Sequence, residues 1–364
     1  MRNLPLEERI DLTSKVAIVK FKENAEAESL KEALHLIGGI DDLNTSKREV
    51  VVKVGVFSHT ADNHTSIRFV DAIVDSFSKA PRVFLAESDN YQGTGLERLQ
   101  IWKALFSERV RSVNLSDLKS TQDVTLAGQK MKLSTILFKP NVFVNTHILR
   151  TFERGSILKN LFGCVPTGKK AKFHKKDIFF PLLADIYEAI GGIDLSVMDG
   201  TYLWRGAGDL RTPMNTLLVG RDAVAVETVG AILAGLNPVR MPVIQAFVKR
   251  GLGEGDLTNI EIVGTPLESL REESKLAIKT LRKKWKEPGG APSVWAPTID
   301  TLIEDGFFKL PHKRTRKDIV KAFEARGIST KGHTSIIATT LTRRVKKGKL
   351  KATKDPDGWI YWTE

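Results

Sequence analysis

Short, mostly apolar runs punctuate the first 220 residues: KVAIVK (15–20), VVVKVGVF (50–57), RVFLAE (82–87), NVFVNT (141–146), DLSVMD (194–199) and TLLVG (216–220). Their length and β-branched content predict buried strands. Between them lie amphipathic stretches such as TSIRFVDAIVDSF, in which Ile67, Val70, Val74 and Phe77 share one helical face. Strand–helix alternation of this kind predicts an α/β domain with a Rossmann-like, mostly parallel sheet. No GxGxxG follows the first strand, so a dinucleotide fingerprint is absent.

The pattern changes after KKWKEPGGAPSVWAPT, a Pro/Gly-rich stretch that reads as a linker. The expected organisation is an α/β domain over residues 1–287, a linker at 288–297 and a small domain at 298–364. In the latter, TIDTLIEDGFF predicts a first helix. TRKDIVKAFEARG predicts a second, capped by Thr315 and stopped at Gly327. HTSIIATTLTRRVKKGK is a third, with Ile337, Leu341 and Val345 facing inward, and two short strands follow around Asp-Pro-Asp-Gly. Helix–helix–helix–hairpin predicts a winged helix-turn-helix.

Charge sharpens this division. Of a formal net charge of +13, residues 288–364 carry +7, from 15 Lys and Arg against 8 Asp and Glu. A basic surplus concentrated at one end points to a polyanion, DNA or RNA above all, with a solvated basic surface as the alternative. On the third helix Ser335, Thr339, Thr342 and Lys346 form a polar face flanked by Arg343. In helix-turn-helix docking that face meets base edges, while Arg344, Lys347, Lys349 and Lys351 meet phosphates. Winged helices also bind proteins, so the fold alone does not decide.

Other classes drop out on composition. One cysteine, Cys164, leaves no disulfide framework and no cysteine-ligated iron–sulfur cluster. No apolar run reaches the roughly 18 residues of a membrane span, and the polar start MRNLPLEERIDL is not a signal peptide. A cytoplasmic protein without membrane contact is expected.

In parallel sheets, ligands bind beyond the carboxyl ends of the strands. That rule selects His64, Glu87, His147 and Asp199. The stretch NTHILRTFERGSILKNLFGCVPTGKKAKFH adds Lys159, Asn160 and Gly163 between His147 and His174. A lysine point charge beside an asparagine amide suits a phosphate or carboxylate. Neutral imidazoles serve as metal ligands or as acid–base groups near neutral pH. His147, His174 and Asp199 are therefore the catalytic candidates, with Lys159, Asn160, Gly163, Glu87 and His64 expected to hold the ligand. A divalent metal on His147 and His174 is one form of the site; both histidines as ordinary core residues is the other. The lysine run at 169–176 reads as a solvated loop or as an anion funnel. Asp222 and Glu227 read as acids at a helix start.

From about Val16 to Gly264 the chain resembles the family catalogued as domain of unknown function 362. NTHILRTFERGSILKNLFGCVP, His174, VMDG followed by RGAG, and GRDAVAVETVGAILAG carry the resemblance. Family members end an extended strand in a Lys-Thr-His-like triplet, matched here by Asn145-Thr146-His147, and continue to Lys-Asn-Leu-Phe-Gly, matched by 159–163. Asp209-Leu210-Arg211 replaces the family's Gly-Pro-rich stretch, and the ferredoxin-like insert of many relatives is excluded by the lone cysteine. The resemblance implies a fold and a site, not a reaction. The order histidine, Gly- and Lys-bearing loop, histidine is also similar to that of nickel-pincer lactate racemases, whose motifs around the first histidine are not found here. Two functions fit: an enzyme tethered to a nucleic-acid-binding domain, or a ligand-responsive DNA-binding regulator without catalysis.

Overall fold

The computed structural model describes residues 14–206, 210–286, 294–328, 330, 334–356 and 358–364. The chain divides into two compact units between Lys283 and Lys284. In the large unit the elements follow as β1 (Ser14–Lys20), α1 (Glu26–Leu36), β2 (Val50–Lys53), α2 (Ile67–Ser76), β3 (Val83–Glu87), α3 (Gly95–Leu99), β4 (Val110–Asn114), the hairpin β5 (Thr121–Leu126) and β6 (Gln129–Ser134), β7 (Val142–Arg150) and α4 (Ile157–Asn160). Then come α5 (Lys176–Ala189), β8 (Leu195–Trp204), β9 (Arg211–Gly220), α6 (Ala223–Leu233), α7 (Pro242–Val248), β10 (Ile260–Gly264) and α8 (Arg271–Lys286).

Eight of these strands form one sheet in the order β10-β1-β9-β8-β7-β2-β3-β4. Five of its seven pairings are parallel, and only β9 runs against its neighbours β1 and β8. This is the expected mostly parallel α/β architecture. Apolar cores lie on both faces: Leu30, Leu34, Phe69 and Ile73 of α1 and α2 pack with Val50 and Val52 on one. Phe179, Leu183, Val226 and Phe247 of α5, α6 and α7 pack with Val51 and Phe143 on the other. Burial on both faces explains why the strands read as unbroken apolar runs.

Strand ends depart from the expectation in ways that shape the site. The run at 50–57 stops pairing at Lys53, because its parallel partners β3 and β7 register only Val50 to Lys53. The run at 141–146 continues to Arg150, since β8 goes on pairing with it past a register shift between Ile148 and Arg150. His147 and Asp199 therefore lie within strands rather than after them. In α2, Ser66 accepts from the Phe69 N–H and caps the helix; Ile67 is the first helical residue and faces outward at 42% exposure, correcting its expected place in the core. The polar strand β4 and the short β10 escape a reading based on apolar runs.

The small unit contains α9 (Trp295–Glu304), β11 (Arg314–Thr315), α10 (Arg316–Glu324), α11 (Thr334–Lys346), β12 (Lys351–Asp355) and β13 (Gly358–Trp362), with the strands ordered β11-β13-β12. Of the expected linker, 288–293 lies outside the described residues; Trp295 to Pro297 instead open α9, where the first N–H groups have no helical acceptor and proline is tolerated. Thr315 and Asp318 close a reciprocal capping box at the start of α10. Ile299, Leu302, Phe323, Ile337 and Leu341 form this unit's own core.

Candidate functional site

β2 ends at Lys53 while its neighbour β7 runs on to Arg150. Lys53, the last residue of β2, is wholly buried, and its ammonium donates to Glu87 Oε2 at 2.7 Å, the Val54 carbonyl at 2.9 Å and Asn160 Oδ1 at 3.0 Å. Glu87, the last residue of β3, also faces Arg98 Nη2 at 3.5 Å. Arg98 in turn donates to the Val56 and Ser88 carbonyls. A buried cation persists only with such partners.

Asn160 is spent on the same network. Its amide nitrogen donates to Asn145 Oδ1 at 2.7 Å and to the Thr146 carbonyl at 3.1 Å, tying the end of α4 to β7. Gly163 lies against the ion pair: a Cβ there would sit 2.5 Å from Lys53 Nζ and 2.7 Å from Glu87 Oε1. Glu87, Asn160 and Gly163, expected to hold a ligand, instead meet one another around Lys53.

His147 and Lys159 lie within electrostatic reach of Lys53 and of Arg150. Gly55 permits the imidazole to cover the end of β2, since a Cβ there would meet His147 Cγ at 2.6 Å. His147 Nδ1 accepts from the Ile148 N–H at 2.8 Å. Burial first, then the charges of Arg150, Lys159 and Lys53, push its pKa well below that of a free imidazole. The ring is neutral, with its proton on Nε2. Arg150 is 8% exposed; it donates to the Gly155 carbonyl at 3.0 Å, while its Nε has no hydrogen-bond partner among the described residues. Burial lowers its pKa to about 10. Arg150 Cζ and Lys159 Nζ share the ring of Phe152, at 5.1 and 5.7 Å from its centroid.

Lys159 is the least compensated group. By accessible area it is half-buried, yet desolvation of its ammonium, reinforced by Arg150, Lys53 and Arg154 and only partly opposed by Glu87, lowers its pKa to about 7. Among the described residues its Nζ has no hydrogen-bond acceptor and no carboxylate within ion-pair distance, whereas Lys53 has both. The backbone beneath it is pinned at both ends. Glu227 accepts from Ser156 N and Leu158 N at 2.9 Å at the start of α4, and Asn160 binds at its end. Burial raises the Glu227 pKa against those hydrogen bonds. Glu227, read as a helix-dipole acid, is therefore a buried clamp, while Asp222 caps α6 through Val224 N and Ala225 N as expected of a helix-start acid.

His174 is exposed, stacks on Phe179 at 5.3 Å and meets Arg154 Nη1 at 3.1 Å through Nδ1. Burial, then Arg154, Lys159 and Lys170, lower its pKa. The charge of Lys159 thus acts on both histidines. Because an arginine only donates, His174 also keeps its proton on Nε2 when neutral. Both Nδ1 atoms are engaged, which leaves both Nε2 atoms as donors. Among the described residues no group of three or more His, Cys, Asp or Glu could hold a metal ion.

The remaining candidates have other duties. Asp199 accepts from Ser66 N at 2.8 Å and from Thr201 N and Oγ1 at 2.9 and 2.7 Å, anchoring the start of α2 to β8. His64 donates from Nδ1 to the Thr65 carbonyl at 2.9 Å and packs edge-on against Trp102. In the lysine run, Lys169, Lys172 and Lys175 are exposed, but Lys170 turns inward to Ser88 Oγ at 2.6 Å, with its pKa lowered to about 8 by burial. Cys164 is buried and its pKa is pushed up to about 12, so the thiol stays protonated.

In the small unit Thr339, Thr342, Arg343, Lys346 and Lys347 are exposed along α11 and just beyond it. Ser335 starts the same helix, but its side chain lies outside the described residues. Arg344 is turned to Asp300 and the Ala296 carbonyl, fastening α11 to α9, and Lys349 reaches Asp300 at 3.4 Å. Arg344 is thus engaged within the unit, while the Lys349 side chain stays 54% exposed.

Residues 50–232, half of the chain, match the family described as "Domain of unknown function (DUF362)". That stretch holds Lys53, Glu87, Arg98, His147, Arg150, Lys159, Lys170 and Glu227. A thylakoid-associated protein of Synechocystis sp. is 29% identical over 145 residues, which cover 38% of this chain and 44% of that protein. The match spans less than half the length of this curated relative. No solved structure matches the chain.

Proposed function

We propose, for a chain that belongs to the domain-of-unknown-function 362 family through residues 50–232, that its large unit binds a small phosphate- or carboxylate-bearing ligand over Lys159. The ammonium of Lys159, unpaired among the described residues, carries this reading. It stands beside Arg150, whose Nε lacks a partner, and near two imidazoles protonated on Nε2. A buried donor without an acceptor, such as Arg150 Nε, costs free energy, and an anion would meet the Lys159 ammonium through charge-assisted hydrogen bonds.

Binding of sulfate, whose charge is constant near neutrality, tests this by calorimetry. The affinity is expected to fall as pH rises through about 7, where Lys159 loses its proton. The same shift predicts the sign for stability. The Lys159 pKa is lower in the folded chain, about 7, than the ordinary 10.5, so the unfolded chain binds more protons between those values. Ligand-free stability therefore rises with pH across that window, opposite to the trend in affinity. A flat affinity profile would leave Lys159 outside the binding site.

The small unit supports a second element of the proposal. Its order of helix, strand, two helices and two strands supports a winged helix, and the exposed Arg343, Lys346 and Lys347 support binding to nucleic-acid phosphates. Replacing these three by alanine is expected to flatten log affinity for duplex DNA against log salt by about 0.9 for each phosphate no longer neutralised. No binding at low salt would make the unit a protein-interaction module. Turnover of the bound anion would mark an enzyme. A ligand-dependent change in DNA affinity without turnover would mark a regulator.

A further inference from the structure

We propose that Lys159 is a covalent catalyst: its side-chain amine condenses with the carbonyl carbon of an aldehyde or ketone that carries a carboxylate or phosphate. This deepens the anion-binding reading and rests on the same site. A lysine held for charge alone is expected to resemble Lys53, whose ammonium is locked by Glu87, Asn160 and a backbone carbonyl. Lys159 has no such lock among the described residues. Its surroundings favour the uncharged amine: the cations Arg150, Lys53 and Arg154 and the neutral His147 and His174 stand around it, with Glu87 the carboxylate that opposes them. Desolvation beside other cations is a recognised route to a nucleophilic lysine. A pKa of about 7 leaves about half the amine free at neutral pH, on the order of a thousandfold more than in an ordinary lysine.

The chemistry closes without an external reagent. The nitrogen lone pair attacks the carbonyl carbon and the C=O π pair moves to oxygen, giving a carbinolamine. The two amine hydrogens then leave with that oxygen as water, and a C=N bond remains. Arg150, which shares the Phe152 ring with Lys159, would receive the carboxylate or phosphate of the same molecule. No oxidant or reductant enters.

The test uses the full chain with pyruvate and sodium borohydride at neutral pH, followed by intact mass measurement and peptide mapping. The expected result is one stable adduct at Lys159, formed at least about tenfold faster than on any exposed lysine, and slowed by inorganic phosphate. Lys159→Arg keeps the charge and is expected to abolish the adduct; Lys159→Met guards against a folding defect in the arginine variant, with circular dichroism confirming the fold of each. Sulfate affinity is measured on the same samples. Sulfate binding that depends on Lys159 without any adduct there would overturn the covalent role and leave the anion site standing. Neither sulfate binding nor adduct would overturn both. Labelling unchanged in both variants would assign the reaction to surface lysines and overturn the proposal.

Discussion

Glu87→Ala is expected to cost about 3–5 kcal/mol of stability, the usual consequence of removing one partner from a buried ion pair. Lys53 is wholly buried and Glu87 is its carboxylate; Arg98, also buried, leans on the same group. Removing that carboxylate strands two cations between sheet and helix layer. Chemical denaturation of the large unit measures the loss. The paired change Lys53→Met with Glu87→Leu is expected to cost far less than the two single changes added, because an apolar pair of similar volume needs no counter-charge. A loss below about 1 kcal/mol for Glu87→Ala would mean that water reaches the pair and that it behaves as a surface bridge.

Lys159→Met is expected to act in the opposite sense on two measurements. Anion affinity falls by about tenfold to a hundredfold, since one charge-assisted hydrogen bond contributes about 1.5–3 kcal/mol. Ligand-free stability holds or rises, because a desolvated cation among Arg150, Lys53 and Arg154 is removed and its Nζ donates no hydrogen bond to any of the described residues. Calorimetry and denaturation on one preparation separate the two effects. Equal affinity in the variant would move the anion elsewhere; a large loss of stability would make Lys159 a structural residue.

Much of this arrangement was legible in the order of apolar runs and of the groups that follow them. The mostly parallel sheet, Glu87 at the end of its strand, and the gathering of His147, Lys159 and His174 under one electrostatic influence follow from that order. What stayed hidden has physical causes. Lys53 sits inside VVVKVGVF, where a strand reading absorbs it; a lysine flanked by valines in a buried strand requires a carboxylate partner, and that was the available signal. Lys170 is one of several lysines in a short run, and composition cannot tell which of them turns inward. Glu227 meets its partners Ser156 and Leu158 about seventy positions upstream, a relation that no local pattern carries. Asn160 and Gly163 lie beside these groups, but their chemistry is directed at the protein: an amide that bonds Lys53, Asn145 and Thr146 and a glycine that makes room for an ion pair.

Lys159 rides on a helix of four residues, too short to hold its shape unaided. Glu227 grips one end and Asn160 the other, so the backbone under the amine is held before any ligand arrives. The consequence is kinetic. With the anchor preset, association is governed by encounter and by the pull of the surrounding cations, and falls with ionic strength. For the proposed anion, residence time is expected to follow from how many donors it engages once there. Two ligands of equal charge but different shape would accordingly arrive at similar rates and leave at different ones.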